Sequence, residues 1–232
     1  MITIVSCTKL ADYKQTLLYK SLAKLEQTSN LLLLDKVKFL TSNKIGLSEA
    51  YNKHLYNSPL SIIDDYALFV HDDVWIDDAG FISKLEEAHK TYDIVGIAGG
   101  INPVIKEPTL WHLMCGGFGS TNLRGFAGHY LQSGDKRTMI TNFGPTPDRV
   151  AIIDGVFMSV NIKRAHAVNW KFNENYTFHL YDLSSCLDAN KKKLKIGVAP
   201  ILIYHNSPGL RSLDDETFKV NQQKFMQEFA SY

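Results

Sequence analysis

Tyr66-Ala67-Leu68-Phe69-Val70-His71-Asp72-Asp73-Val74 joins an apolar run to two consecutive carboxylates. An unbroken apolar run of strand length is the pattern of a parallel strand covered on both faces. His71-Asp72-Asp73 stops it. Carboxylates at the end of a buried strand need water, a cation or a metal as partner.

Upstream, Ile2 to Val5 reads as a first strand that ends at Ser6-Cys7-Thr8, and Leu17, Leu18, Leu22 and Leu25 then recur at helical spacing. Leu31 to Leu34 and Val37 to Leu40 are further apolar runs of strand length. After Asn43 and Gly46, Leu47, Ala50, Tyr51 and Leu55 set a stripe on a short helix ending near Asn57-Ser58-Pro59, with Asn52 off the stripe. Downstream, Asp78 is placed to cap a helix carrying Phe81, Ile82, Leu85 and Ala88, and Ile94 to Ala98 forms the next strand, closed by Gly99-Gly100. This alternation predicts an α/β fold with a mostly parallel central sheet flanked by helices, whose ligands bind beyond the carboxyl ends of the strands.

From Asn102 to about Arg149 the periodicity fades into a connection of a length that is usually functional or mobile. It holds Trp111, His112, Gly116-Gly117, Arg124, Arg137 and Arg149. Aromatic rings suit sugar faces and arginines suit phosphates; a surface excursion packed by its own aromatics is the alternative. Regularity returns at Ala151 to Val160, in a helix from about Tyr181 with Leu183, Cys186 and Leu187 on one face, in a strand from Ile196 to Tyr204, and in a C-terminal helix with Phe218, Phe225, Met226 and Phe229.

The chain has 232 residues, 45% of them hydrophobic and 21% charged, which fits one globular domain rather than a disordered or fibrous chain. With 25 basic and 24 acidic side chains, net charge +1, no overall field draws it to nucleic acid or an anionic membrane. The one dense basic run, Lys191-Lys192-Lys193 with Lys195, reads as a solvated helix end. Cys7, Cys115 and Cys186 are odd in number and lack a CxxC spacing, so a reducing, cytoplasmic setting is expected. The opening residues are too short an apolar run for a signal peptide or integral membrane segment.

Four later features bear on the Asp pair. Ile153-Asp154-Gly155-Val156 interrupts an apolar strand with an acid and a glycine, as where a backbone passes close to a ligand. His179 and Asp182 lie three positions apart at a helix start, a spacing that shares a face. His205 ends a strand at the rim, and neutral imidazole is a metal ligand. Mg²⁺ or Mn²⁺ suits one or two carboxylates that share the ion with substrate phosphates. Taken singly, each feature also has a plain structural reading as turn, bulge, cap or rim histidine.

As an ordered set they resemble the family 2-like GT-A glycosyltransferases, in particular the streptomycin-biosynthesis-type glycosyltransferase domain. The resemblance runs from residue 2 to about 210 and rests on Ser48-Glu49-Ala50-Tyr51-Asn52, Phe69 to Val74, Asp154 to Met158, Phe178 to Asp182, and His205-Asn206-Ser207-Pro208-Gly209. It implies a single Rossmann-like GT-A domain, with residues 1–100 as the nucleotide-binding half, 101–210 as the acceptor-side half and 211–232 as a C-terminal helix. It implies that Ser6, Cys7, Thr8, Asn43, Asn52 and Asp72 face the nucleotide, that Asp73 and His205 hold Mn²⁺ or Mg²⁺, and that Asp182 is the general base of an inverting transfer. Asp154 and His179 then serve the donor sugar and acceptor. His71 stands where the family's motif has its first acid.

The implied activity is hexosyl or pentosyl transfer from a UDP-, dTDP- or GDP-sugar to a hydroxyl of a glycan, metabolite, protein or hydroxylated DNA base. Two rivals are a catalytically silent nucleotide- or sugar-binding domain and a metal-dependent nucleotidyltransferase or phosphohydrolase. No glycine-rich phosphate loop or Walker-type lysine follows the first strand, which counts against a P-loop enzyme.

Overall fold

In the computed structural model, Tyr66–Val70 is a strand whose side chains from Ala67 to Val70 are all buried. Leu68 and Val70 pack in one apolar cluster and Ala67 and Phe69 in another, so both faces are covered, as the unbroken apolar run requires. The structure describes residues 2–29, 31–57, 65–130, 138–206, 214–230 and 232. Ser58-Pro59, Arg137 and Ser207-Pro208-Gly209, singled out in the sequence, lie outside the described residues.

In chain order the strands are β1 (Ile2–Cys7), β2 (Val37–Leu40), β3 (Tyr66–Val70), β4 (Val74–Ile76), β5 (Ile94–Gly96), β6 (Ala98–Gly100), β7 (Leu123–Tyr130), β8 (Thr138–Gly144), β9 (Asp148–Val150), β10 (Ile152–Ile153), β11 (Phe157–Asn161), β12 (Ile196–Val198) and β13 (Ile203–His205). The helices are α1 (Leu17–Ser29), α2 (Leu47–Tyr56), α3 (Phe81–Ala88), α4 (Trp111–Met114), α5 (Ile162–Ala167), α6 (Tyr181–Lys191) and α7 (Glu216–Glu228).

The larger sheet runs β2-β1-β3-β11-β5-β12-β9. Strands β2, β1, β3, β5 and β12 point one way, while β11 and β9 oppose them. A second sheet runs β10-β6-β7-β13-β4, with β8 paired to β7. Four of the steps from one sheet to the other form a seam: His71-Asp72-Asp73 between β3 and β4, Ile97 between β5 and β6, Asp154-Gly155-Val156 between β10 and β11, and residues 199–202 between β12 and β13. Backbone bonds tie this seam together, with His71 N–H donating to Val156 C=O at 3.1 Å, Asp154 N–H to Ala98 C=O at 3.0 Å and Asn206 N–H to Asp73 C=O at 3.1 Å.

Four expectations change. Leu31 to Leu34 is not a strand: the Glu26 carboxylate accepts from the N–H groups of Leu33 and Leu34, removing donors a ladder needs, and a single 3-10 turn covers Leu34–Lys36. Both Ile94 to Ala98 and Ile196 to Tyr204 divide into two strands of different sheets, the second about Pro200. The segment from Asn102 to Arg149 is not an irregular connection, since it carries α4, the antiparallel pair β7–β8 and β9. Asp78 does not cap α3 as expected: the cap position is Gly80, without a side-chain cap, and the Asp78 carboxylate accepts from Gly80 N–H at 2.9 Å in the turn just before the helix.

At the end of α3, His89 is buried with its ring stacked on Tyr66 at 4.2 Å. Nδ1 faces Tyr92 C=O at 3.1 Å, and a carbonyl only accepts, so Nδ1 carries the proton and Nε2 accepts from the Ser159 hydroxyl at 2.8 Å. Burial lowers the His89 pKa to about 4, against about 6.5 in the unfolded chain. A folded-state pKa below the unfolded value means that the unfolded chain takes up the proton first. Stability present at neutral pH is therefore lost as pH falls through about 6.5 toward about 4, by about 3 kcal/mol from this group. In urea unfolding, the deficit of His89→Gln relative to wild type should shrink by about that amount between pH ~7.5 and pH ~4; a deficit equal at both pH values would remove His89 from the acid response.

Candidate active site

The seam assembles the site because two of its crossings, after β3 and after β10, carry polar side chains, His71-Asp72-Asp73 and Asp154, to the ends of buried strands. Antiparallel pairing of β11 with β3 puts Phe157 opposite Val70 and so brings Asp154-Gly155-Val156 beside His71. Pairing of β13 with β4 sets His205 opposite Val74, next to Asp73.

His71, Asp73 and His205 each present one ligand atom, and these atoms lie within 4.8 Å of one another. His205 Nε2 is 3.2 Å from Asp73 Oδ1. The contact is an ion pair only when His205 is protonated; among the described residues Oδ1 is otherwise buried with no hydrogen-bond partner. An uncompensated buried carboxylate oxygen facing two imidazoles is the donor set a divalent cation takes, so the residues fit a metal. Burial alone would lower the His205 pKa, but the adjoining Asp73 carboxylate, helped by Asp154, shifts it upward. Asp73 is held low because its contact with His205 and the charges of both histidines outweigh its own burial. His71 is shifted down by burial and by His205, against the pull of Asp73, Asp154 and Asp72.

Tyr181 fixes which His71 nitrogen is free. Its single hydroxyl proton is donated to Gly155 C=O at 2.7 Å, so its oxygen accepts from His71 Nε2 at 3.1 Å. Nε2 therefore bears the hydrogen and Nδ1 the lone pair. Gly155 N–H in turn donates to Asp182 Oδ2 at 2.8 Å, and Leu183 N–H to Oδ1 at 2.8 Å. A Cβ at position 155 would lie 2.7 Å from both Asp182 Cβ and the Tyr181 hydroxyl, so only glycine fits. Asp154 accepts from Trp111 Nε1 at 2.9 Å and from Val156 N–H at 3.0 Å. Burial, and then the Asp154 charge, raise the Asp182 pKa to about 7 despite its two backbone donors.

Asp73, His205, Asp154 and Asp182 thus gather around His71 and Tyr181. Asp72 adjoins them; its C=O accepts from Leu18 N–H at the start of α1, and its charge adds to burial in pushing the Cys7 thiol up to about 12. Ser6, Cys7 and Thr8 are all shielded from solvent; Ser6 Oγ has no hydrogen-bond partner among the described residues, and Thr8 Oγ1 accepts from Leu10 N–H. Asn43 closes the turn after β2, its N–H donating to Thr8 C=O at 2.9 Å. Asn52 is directed elsewhere: its amide donates to Phe172 C=O and Glu174 and accepts from Phe172 N–H, clamping that segment to α2.

His179 does not share a helical face with Asp182. Leu180 sits in the left-handed region at φ 64° and the helix starts only at Tyr181, so His179 turns toward α7, 3.4 Å from Asp215 and with its ring against Phe218. The sequence reading also passed over His71 as a ligand and Tyr181 as its orienting partner. The available signal was their position next to Asp72-Asp73 and to Asp182 in the sequence.

A family model described as "Glycosyltransferase like family" matches residues 4–229. A comparison with curated proteins finds none that matches. Among solved structures, A197 from STIV is 12% identical over 89% of this chain and 85% of its own, with TM-score 0.49. TarS 1-349 from S. aureus in complex with UDP is 12% identical over 89% of this chain, TM-score 0.49, and this chain covers 60% of it. GalNAc-T7 with UDP, GalNAc and Mn²⁺ is 11% identical over 98% of this chain, TM-score 0.56, and this chain spans only 47% of its length.

Loss of the Tyr181 hydroxyl frees His71 to change tautomer. Tyr181→Phe should weaken binding of Mn²⁺, measured by calorimetry, by about 10-fold or more, and ¹⁵N spectra of the wild type should show His71 protonated on Nε2. A wild type with His71 protonated on Nδ1 would contradict this assignment.

Proposed function

The chain belongs to the glycosyltransferase-like family and has the GT-A fold, and from this we propose that it transfers a hexosyl or pentosyl group from a nucleoside-diphosphate sugar to an acceptor hydroxyl with inversion. The observation that carries the reading is Asp182, a carboxylate with its pKa raised to about 7, linked through Gly155 and Tyr181 to the His71-Asp73-His205 cluster. A base with that pKa is half ionised at neutral pH and still basic enough to accept a hydroxyl proton. Asp182 takes the proton of the acceptor O–H as that oxygen bonds to the anomeric carbon. The bond from that carbon to the diphosphate oxygen breaks, and its electron pair leaves with the nucleoside diphosphate. Asp154, fixed by Trp111 and Val156 N–H, offers an oriented acceptor for sugar hydroxyls. His179 has no part in this reading.

Asp73, His205 and His71 would hold a divalent cation, whose role is to neutralise charge on the departing diphosphate. Two imidazoles favour Mn²⁺ over Mg²⁺, which prefers oxygen. A structural relative of the same fold crystallised with UDP, GalNAc and Mn²⁺ supports that choice and a nucleotide-sugar donor. We assign residues 1–100 to the nucleotide, with Ser6, Cys7, Thr8, Asn43 and Asp72 at the strand ends, 101–210 to the acceptor side, and 211–232 to the closing helix. Among the described residues no helix is long and apolar enough to cross a membrane. Three free, buried cysteines support a reducing, cytoplasmic setting.

Thermal unfolding with UDP, dTDP and GDP, each with and without Mn²⁺, tests the donor class. At about 100 times Kd one nucleotide should stabilise by about 2.7 kcal/mol, and only with the metal; no shift from any of them rejects the proposal. With the donor known, kcat/KM should climb about tenfold per pH unit below pH ~7 and level off above it, because the base works in its ionised form. Asp182→Asn should lower kcat by about 10²–10⁴-fold with nucleotide affinity unchanged; equal loss of both would make Asp182 structural.

A further inference from the structure

Phe118 is the most exposed aromatic ring among the described residues, at 69%. It is flanked by Gly116, Gly117 and Gly119, with φ of 104°, 83° and 84°, a backbone that other residues rarely adopt. The loop is held by its own bonds: Gly117 N–H donates to His112 C=O at 2.8 Å, Ser120 N–H to Gly117 C=O at 3.0 Å, and Ser120 Oγ to Cys115 C=O at 2.8 Å. The ring is thus presented outward on a braced turn instead of folding into the core.

Phe118 does not stand alone. It lies 4.8 Å from the half-buried His112 ring and 6.1 Å from Phe143, to which it is nearly parallel. Phe143 meets Trp111 edge-on at 4.9 Å, and the Trp111 indole N–H is the group that holds Asp154. A chain of aromatic contacts therefore leads from solvent to Asp154.

We propose that Phe118, with Phe143 and His112 beside it, is a stacking platform for a pyranose ring, so that the acceptor hydroxyl belongs to a carbohydrate. This rests on the transferase reading and deepens it. A pyranose has an apolar face of axial C–H groups, slightly positive, that complements the negative face of an aromatic ring. Its hydroxyls need both donors and acceptors at the rim. Burial keeps His112 neutral at physiological pH, so it supplies one of each, and Asp154 supplies a further acceptor. Three rings fall far short of the roughly 800 Å² per partner of a protein interface.

The test measures binding of methyl glycosides of common hexoses and N-acetylhexosamines, and of their disaccharides, by saturation-transfer NMR. Mn²⁺ and the nucleotides UDP, dTDP and GDP are present, and the proteins are wild type, Phe118→Ala and Phe118→Trp. At least one glycoside should bind wild type, with Phe118→Ala weakening it about tenfold, or about 1.4 kcal/mol, and Phe118→Trp retaining it. All three proteins should show the same nucleotide-dependent thermal shift. Absence of glycoside binding to wild type, or equal binding by Phe118→Ala, overturns the platform. Glycoside binding that depends on Phe118 without any nucleotide shift would keep the platform and reject the transferase reading.

Discussion

The missing side chain at position 155 is the constraint on which the site depends. Tyr181 and Asp182 both press on the Gly155 backbone, which gives its C=O to the tyrosine hydroxyl and its N–H to the carboxylate. Any Cβ there must displace the start of α6 from the seam. The metal-ligand cluster and Asp182 would then no longer be set at a fixed spacing, because His71 is linked to Asp182 through Tyr181 and Gly155. The left-handed Leu180 has the same logic. Its conformation lets the chain turn sharply into α6, so that Tyr181 and Asp182 enter the site together while His179 leaves it. A buried leucine at φ 64° is held there by its surroundings, at a cost of about 1–3 kcal/mol.

Much of this was legible in the sequence wherever one residue pattern met one physical demand. β1, α1, α2, β3, α6 and α7 arise from apolar runs or stripes that bury as they read. The acids of the seam were legible because each interrupts an apolar strand. The β7–β8 pair was not, because its glycines answer tertiary demands: a Cβ at Gly125 would lie 1.9 Å from Ile97 C=O, and one at Gly128 would lie 2.3 Å from the Tyr204 ring. β8 is mostly exposed and shows no alternation to read. Leu31 to Leu34 misled for the opposite reason, since Leu33 is buried but Leu32 is 71% exposed, and a long-range carboxylate contact decides the backbone. Asn52 and His179 were chosen by motif position, and their direction is set by partners 120 and 36 residues away.

The charge arrangement explains why position 71 suits an imidazole. Asp72, Asp73 and Asp154 all act on this point, and Asp182 lies beyond Tyr181. Asp154 already contributes, after burial, to raising Asp182 to about 7. A further carboxylate in place of His71 would face the same neighbours with a like charge and raise their pKa values further. It would also leave the Tyr181 hydroxyl, whose proton goes to Gly155 C=O, opposite an acceptor with no hydrogen to give. An imidazole carries no charge when its pKa is lowered, supplies the Nε2 hydrogen the tyrosine oxygen needs, and keeps a lone pair on Nδ1. In the proposed reaction the consequence is a division of labour. The cluster gains a ligand without gaining negative charge, and the base keeps a pKa near neutrality instead of being driven above it.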